Sequence, residues 1–239
     1  MNKRTPVCLV LKSAVLLVTL LCVFPLFATN PQKKEMKELN VKKVSLANVA
    51  VENIPALLDK EKVAFQSINT VNWKTFPYQP EVQFRIAHTD DAILVHYKVK
   101  EASVRAVAAG DNGAVWEDAC VEFFSIPAGD GIYYNVECNC AGILLIGAGA
   151  GRENREHAPQ EVMDKVQRWS SLGRQSFEER VGECNWELAL VIPYSAFFKH
   201  QITSLDGKTV RANFYKCGDK LQTPHSVSYT HLTLPTKLE

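Results

Sequence analysis

The sequence lacks an excess of charge of either sign. Its 239 residues carry 27 Lys and Arg against 26 Asp and Glu, which gives a formal net charge of +1 at pH 7. A protein that recognises nucleic acid or an anionic membrane surface through long-range electrostatics needs a substantial basic patch. The balance of charge therefore favours neither partner, and small uncharged ligands remain open.

Spaced motifs of catalysis and metal binding are also missing. The sequence contains no C-x-x-C, H-E-x-x-H or G-x-S-x-G, and its GAGAGR run at residues 147–152 lacks the Lys-Ser/Thr pair of a phosphate-binding loop. Its seven cysteines lie at irregular spacings, unlike those of a disulfide-stapled scaffold. We interpret most of those beyond the N-terminal segment as buried thiols, and these features predict no cofactor.

A long apolar run occurs at the N-terminus. Lys3 and Arg4 precede AVLLVTLLCVFPLFA, residues 14–28, which is short for a membrane-spanning helix, contains a proline and ends in a small residue. This pattern predicts a cleavable signal peptide at residues 1–28. We expect a bacterial protein exported to the periplasm or the medium, with no membrane span after cleavage.

The C-terminal segment resembles the translation of a DNA sequence used in sequencing. VSYTHLTLPT, residues 227–236, can be back-translated into a sequence that resembles a transposase-type sequencing adapter read in frame. We therefore interpret residues 226–239 as a non-native tail, and residues 44–225 as one domain with an incomplete C-terminus. A flexible leader at residues 29–43 precedes this domain. The alternative for the tail is a genuine, Thr-rich final strand.

The domain is rich in short segments of Val, Ile, Phe and Tyr separated by Gly, Asp or Pro. They are VQFRIAH, AILVHYKV, CVEFFSI, YYNVECN, GILLIGA, NWELALVI and VRANFYK. Seven such strands predict an all-β fold, an antiparallel β-sandwich that is jelly-roll-like. Apolar residues clustered at residues 53–63 predict a short helical or turn element, and the spacing of Val162 and Val166 predicts a short helical insertion at residues 158–169.

Alternation within two of these segments predicts which side chains enter the core. In AILVHYKV one face is apolar and the other mixed, as in a strand that is buried on one side. The predicted core positions of AILVHYKV and NWELALVI are Ile93, Val95, Tyr97, Val99, Trp186, Leu188, Leu190 and Ile192.

The stretch GAVWEDACVEFF, residues 113–124, combines an apolar face with a polar one when it is read as a strand. The first face carries Val115, Ala119, Val121 and Phe123, and the second carries Trp116, Asp118, Cys120, Glu122 and Phe124. In YYNVECN, one face likewise carries Asn135, Glu137 and Asn139. If the two strands are neighbours, an indole lies beside amides and carboxylates. That combination suits a sugar, whose C–H face stacks on an aromatic ring while its hydroxyls need hydrogen bonds.

The runs VWEDACVEFF and YYNVECNCAG resemble the family 9 carbohydrate-binding modules, and FRIAHTDDAILVHYKVKEASVRAV, WSSLG and RANFYKCGD extend the resemblance over most of the domain. The resemblance implies an exported β-sandwich that binds saccharide without catalysis and supports polysaccharide degradation or uptake, beside a polysaccharide-degrading enzyme. It assigns sugar stacking to Trp116 and hydroxyl contacts to Glu122. Asn135 and Glu137 match positions where the family has an Arg and an Asn.

The resemblance has two further implications. Family members usually close the site with a second aromatic residue just past a Pro-His pair, here Pro224 and His225, where this sequence enters the predicted tail. Some relatives carry structural calcium, which leaves calcium open at the TDD turn of residues 89–91. We interpret that turn as a backbone cap.

Other interpretations of the same residues remain open. Trp116 could be a core or rim aromatic, Glu122 could be a structural carboxylate that pairs with an arginine such as Arg85, and the amides of YYNVECN could line the solvated face of an edge strand. A glycosidase would use Glu122 with Glu137 if the strands place them opposite each other. A haem or redox sandwich would draw its ligands from Met163 and a histidine, or from His88 and His96.

Overall fold

The structure, a computed structural model, describes residues 37–47 and 49–230, which fold mainly into β-strands. The predicted signal peptide therefore lies outside the described residues. The described residues contain two short α-helices, α1 (Ile54–Lys60) and α2 (Gln160–Met163). The strands are β1 (Lys42–Lys43), β2 (Gln66–Ser67), β3 (Thr70–Val71), β4 (Glu81–His88), β5 (Ala92–Ala106), β6 (Cys120–Ile126), β7 (Tyr133–Asn139), β8 (Leu144–Gly149), β9 (Glu156–His157), β10 (Gln167–Ser170), β11 (Phe177–Pro193), β12 (Arg211–Gly218) and β13 (His225–Ser228).

The strands form two sheets. The first sheet has the order β1-β4-β5-β11-β10, with β2 paired to β4, and the second has the order β3-β13-β12-β6-β7-β8-β9. All pairs are antiparallel except β1 with β4. This is the β-sandwich that the strand pattern predicts.

The main core lies between the sheets. Phe84 of β4 stacks on Phe214 of β12 with ring centroids 3.6 Å apart, and the hydroxyl of Tyr97 on β5 donates to the carbonyl of Glu122 across the sandwich. All eight core positions predicted from alternation are buried in this cluster. Period-two patterning therefore identifies the inner face of the first sheet correctly.

The outer face of the first sheet differs from the expectation. Leu94 and His96 on β5 are also buried, because α1 packs its Ile54 and Leu58 near that face in a second apolar cluster. The sequence pattern predicted a solvated outer face, but this face is covered although it carries polar side chains. The strand is therefore buried on both sides.

Two predicted elements have different bounds. The helical insertion is limited to the four residues of α2, and Trp169 belongs to β10, where pairing with β11 overrides the helical spacing. The stretch that contains Trp116 is a 3-10 turn at Val115–Glu117, and its strand begins only at Cys120.

The ends of the described chain take part in the sheets. Lys42 and Lys43 of the predicted leader pair with β4, and Val227 and Tyr229 of the predicted tail pack in the main core. Residues 231–239 lie outside the described part of the chain. Among the residues that the structure describes, no helix is long and apolar enough to cross a membrane.

Candidate functional site

The outer face of the second sheet carries the predicted polar residues. Strands β6 and β7 are neighbours, with Glu122 directly opposite Glu137 and Phe124 directly opposite Asn135. Because the intervening residues of both strands point into the core, these four side chains share the outer face. The structure therefore brings Glu122, Asn135 and Glu137 together.

Trp116 lies at one end of this face, in the 3-10 turn before β6. Trp116 is 39% exposed, so a core position is wrong, whereas this exposure is compatible with an aromatic at the rim of the sheet. The turn is held through its backbone, since the carbonyl of Trp116 accepts a hydrogen bond from the amide of Asp219 at 3.0 Å and lies 3.6 Å from the thiol sulfur of Cys217. The same thiol lies 2.8 Å from Oε1 of Glu122. One side chain therefore connects the backbone of the exposed tryptophan to the carboxylate.

Glu122 and Asn135 each leave one buried polar atom without a partner among the described residues. The atoms are Oε2 of Glu122 and Oδ1 of Asn135, on residues that are 4% and 0% exposed. An unsatisfied buried acceptor costs about 1–3 kcal/mol. Native proteins retain such groups where a ligand, an ion or a water completes them. The two acceptors therefore mark this face as a place where hydrogen-bond donors of a ligand can bind.

Asn135 is fixed from two sides. Its Nδ2 donates to Oε1 of Glu137 at 2.6 Å, which directs Oδ1 towards Gly147, its partner on β8. A Cβ at Gly147 would lie 2.7 Å from this Oδ1, closer than a Cβ contact allows. Gly147 therefore makes room for the amide of Asn135. This role could not be predicted from the sequence, because it depends on the register between β7 and β8.

A cation and further aromatic rings border the same face. Nη1 of Arg155 lies 4.0 Å from Oε1 of Glu137, and its guanidinium lies 5.8 Å from the ring centre of Tyr133. The rings of Phe124 and Tyr215 are 4.9 Å apart. Strand alternation already placed Phe124 on this face, but Arg155, Tyr133 and Tyr215 were not predicted. Tyr215 could have been found, since it alternates with the inward-facing Phe214 in RANFYKCGD.

Two structural alternatives for this face are wrong. Arg85 cannot pair with Glu122, because it lies on the first sheet and donates to Asp59 at 2.5 Å and to His96 at 3.0 Å. The strand that carries Asn135 is not an edge strand, because β7 lies between β6 and β8.

Asp118 and Asn139 have structural roles instead. Oδ2 of Asp118 accepts hydrogen bonds from the amides of Val107 and Ala108 and from Nδ2 of Asn139, at 2.9–3.1 Å. The Oδ1 of Asn139 caps the turn after β7 through the amides of Ala141 and Ile143. Both side chains stabilise the loops that border the face.

The residues considered for metal or haem binding have other partners. Thr89 caps its own turn, since its Oγ1 accepts from the amides of Asp91 and Ala92. Both ring nitrogens of His96 are bonded, one to Arg85 and the other to Glu187, and Met163 lies in the core. Within residues 37–47 and 49–230, no three His, Cys, Asp or Glu side chains are grouped to hold a metal ion.

Comparison with known proteins bears on this face. The model of the family described as carbohydrate-binding family 9 matches residues 52–237. The crystal structure of a proposed carbohydrate-binding protein from Bacteroides uniformis ATCC 8492 is 63% identical, with a TM-score of 0.80 over 82% of this chain and 90% of that one. A family 9 module from Caldicellulosiruptor kristjanssonii in complex with glucose shares the fold at 11% identity, with a TM-score of 0.50 over 81% and 85% of the two chains. No curated protein matches the sequence.

Proposed function

Because the chain belongs to carbohydrate-binding family 9, we propose that its non-catalytic binding of carbohydrate takes place on the outer face of the second sheet. Trp116 stacks on a sugar ring, Glu122 and Asn135 accept hydrogen bonds from its hydroxyls, and Glu137 positions Asn135. The face is proposed from this chain's own geometry, since the identity to the glucose-bound module is low.

The observation that supports this site most directly is the pair of unsatisfied acceptors, Oε2 of Glu122 and Oδ1 of Asn135, on the face that Trp116 borders. A pyranose presents what such a site needs, an apolar C–H face for the indole and hydroxyl donors for the two oxygens. A purely structural face would gain stability by replacing these groups with apolar residues.

Isothermal titration calorimetry with glucose, together with a glycan array, tests the proposal on the protein expressed from the complete native gene. We expect saccharide binding that Trp116→Ala and Glu122→Gln both weaken while the melting temperature stays close to that of the wild type. Binding that neither substitution affects would place the site elsewhere. An absence of binding across the array would contradict the function itself.

A glycosidase is the competing function, and one observation favours it. Glu122 and Glu137 are direct cross-strand partners, which places on one face the two carboxylates that a glycosidase needs. The hydrogen bond from Asn135 and the nearby Arg155 favour a positioning role for Glu137. Release of reducing ends from cello-oligosaccharides, abolished by Glu137→Gln, would establish the enzyme; unchanged substrate supports binding alone.

The proposed role includes export, by the signal peptide at residues 1–28, and support of a polysaccharide-degrading enzyme in the periplasm or outside the cell. Mass spectrometry of the exported fraction should find a mature chain that begins near Thr29, and retention of Met1 would contradict this.

Affinity capture from saccharide-grown cells tests the enzyme partner. Sequencing the gene from independent DNA tests the non-native origin of residues 226–239.

A further inference from the structure

Two cysteines lie directly opposite each other in the second sheet. Cys120 of β6 and Cys217 of β12 are cross-strand partners. Among the cysteines that the structure describes, they form the one pair that the strand registers place opposite each other. Directly opposite residues of antiparallel strands have Cα atoms about 4.5 or 5.5 Å apart, and a disulfide accepts about 4.4–6.8 Å. The backbone therefore meets the geometric requirement for a bond.

Both side chains point to the same side of the sheet. The thiol of Cys217 reaches Glu122 on the outer face, and Cys120 shares that face because it is two residues before Glu122 on β6. Both side chains pack in the same small apolar cluster. Both residues are at most 1% exposed, so that a bond between them would be shielded from reductants.

We propose that Cys120 and Cys217 form a disulfide when the chain folds under oxidising conditions. The oxidant is a small or protein disulfide, such as oxidised glutathione. The thiolate of one cysteine attacks a sulfur of the oxidant and releases one thiolate. The other cysteine then loses its proton and attacks the mixed disulfide, which releases the second thiolate. The two cysteines lose two protons and two electrons, and the oxidant is reduced to two thiols.

Burial determines when this reaction occurs. Burial, followed by the proximity of Cys217, raises the pKa of Cys120 well above its usual range. The nucleophilic thiolate is therefore scarce in the folded state, and exchange proceeds before β6 and β12 close. A bond formed in this way joins positions about 100 residues apart in the sequence and stabilises the fold. It also removes the thiol donor from Oε1 of Glu122.

Refolding of the full chain tests the proposal. One sample refolds with oxidised and reduced glutathione and another with a reductant, and both are then unfolded, alkylated and analysed by peptide mass spectrometry. We expect the oxidised sample to contain a linked peptide pair that joins Cys120 to Cys217, and to melt at a higher temperature than the reduced sample. Oxidant added after folding should give the same bond much more slowly.

Two matched variants complete the test. Cys217→Ala should abolish the linked peptide and the difference in melting temperature, whereas the double variant Cys138→Ala and Cys140→Ala keeps both. Complete alkylation of Cys120 and Cys217 in the oxidised wild type would overturn the proposal, as would a bond to any other cysteine. The peptide mass spectrometry of the wild type needs neither a variant nor a saccharide. Its result is therefore independent of whether the variants fold and of the proposed function.

Discussion

Oδ1 of Asn135 occupies the space that a side chain at position 147 would need. A Cβ placed on Gly147 would approach this oxygen to 2.7 Å, while Nδ2 of the same amide donates to Glu137 on the other side. The orientation of an unsatisfied acceptor on the candidate binding face therefore depends on the lack of a side chain on a neighbouring strand.

We expect Gly147→Ala to weaken saccharide binding with little effect on stability. The added methyl group displaces the amide of Asn135, while alanine in a strand costs less backbone entropy than glycine on folding. Calorimetry with glucose should show the loss, and a thermal melt should show a small shift. Gly151→Ala is the matched control, because nothing lies within 4 Å of a Cβ at that position. Equal affinities of the two variants would contradict this role for Asn135.

Trp116→Ala should reduce saccharide affinity at least tenfold, or about 1.4 kcal/mol. Trp116 is 39% exposed and its turn is held through the backbone carbonyl, so removal of the indole opens no core cavity. Trp186→Phe is the contrasting variant. That indole is buried and donates to Oε1 of Glu101 at 2.7 Å, so its loss should lower the melting temperature and spare the binding face. A large loss of stability in Trp116→Ala without loss of affinity would make Trp116 structural.

Glu122→Gln should weaken binding by about 1.5–3 kcal/mol, the usual contribution of a hydrogen bond to a charged group. The substitution keeps the shape of the side chain, and Oε1 already accepts from Cys217. Titration calorimetry measures the change. Glu183→Gln, an exposed position on the first sheet, is the control and should bind like the wild type. A variant of Glu122 with wild-type affinity would remove it from the site.

Alternation of apolar and polar residues predicts which face of a strand a side chain occupies, but not where the strand begins or which strands lie beside it. Inward positions such as Leu188 and Phe123 were predictable because strands have a period of two. The 3-10 turn of Trp116 was not, because its apolar residues also fit a strand pattern. Gly147 and Arg155 act through strand register and loop position, and neither is visible in a single segment. Resemblance placed Glu122 in the site, but only the register of β6 and β7 places it beside Glu137.

Acid should destabilise the protein through its buried histidines. Burial, and then the charge of Lys216, whose Nζ lies 2.9 Å from Nε2 of His225, lowers the pKa of His225 to about 3. The hydrogen bond between Nδ1 of His225 and the carbonyl of Thr223 acts in the opposite direction, because it favours the protonated ring. Burial likewise lowers the pKa of His96 to about 4, against its hydrogen bond to Glu187.

Both rings thus stay neutral in the folded protein at a pH where the unfolded chain, with a pKa near 6.5, binds protons. The unfolded state binds more protons over this window, so the free energy of unfolding falls as the pH is lowered from about 6.5 towards 4. Each ring contributes up to about 1.4 kcal/mol per pH unit.

Urea denaturation at a series of pH values measures the slope, and His225→Gln isolates the contribution of one ring, because glutamine can still accept from Lys216 without titrating. Between pH 6 and 4 we expect its curve to be flatter than that of the wild type by up to about 1.4 kcal/mol per unit. Parallel curves would show that His225 takes up its proton in the folded state. Should the variant fail to fold, NMR titration of the wild-type ring gives the same answer, because a folded-state pKa near 6.5 would exclude any linkage between this histidine and stability.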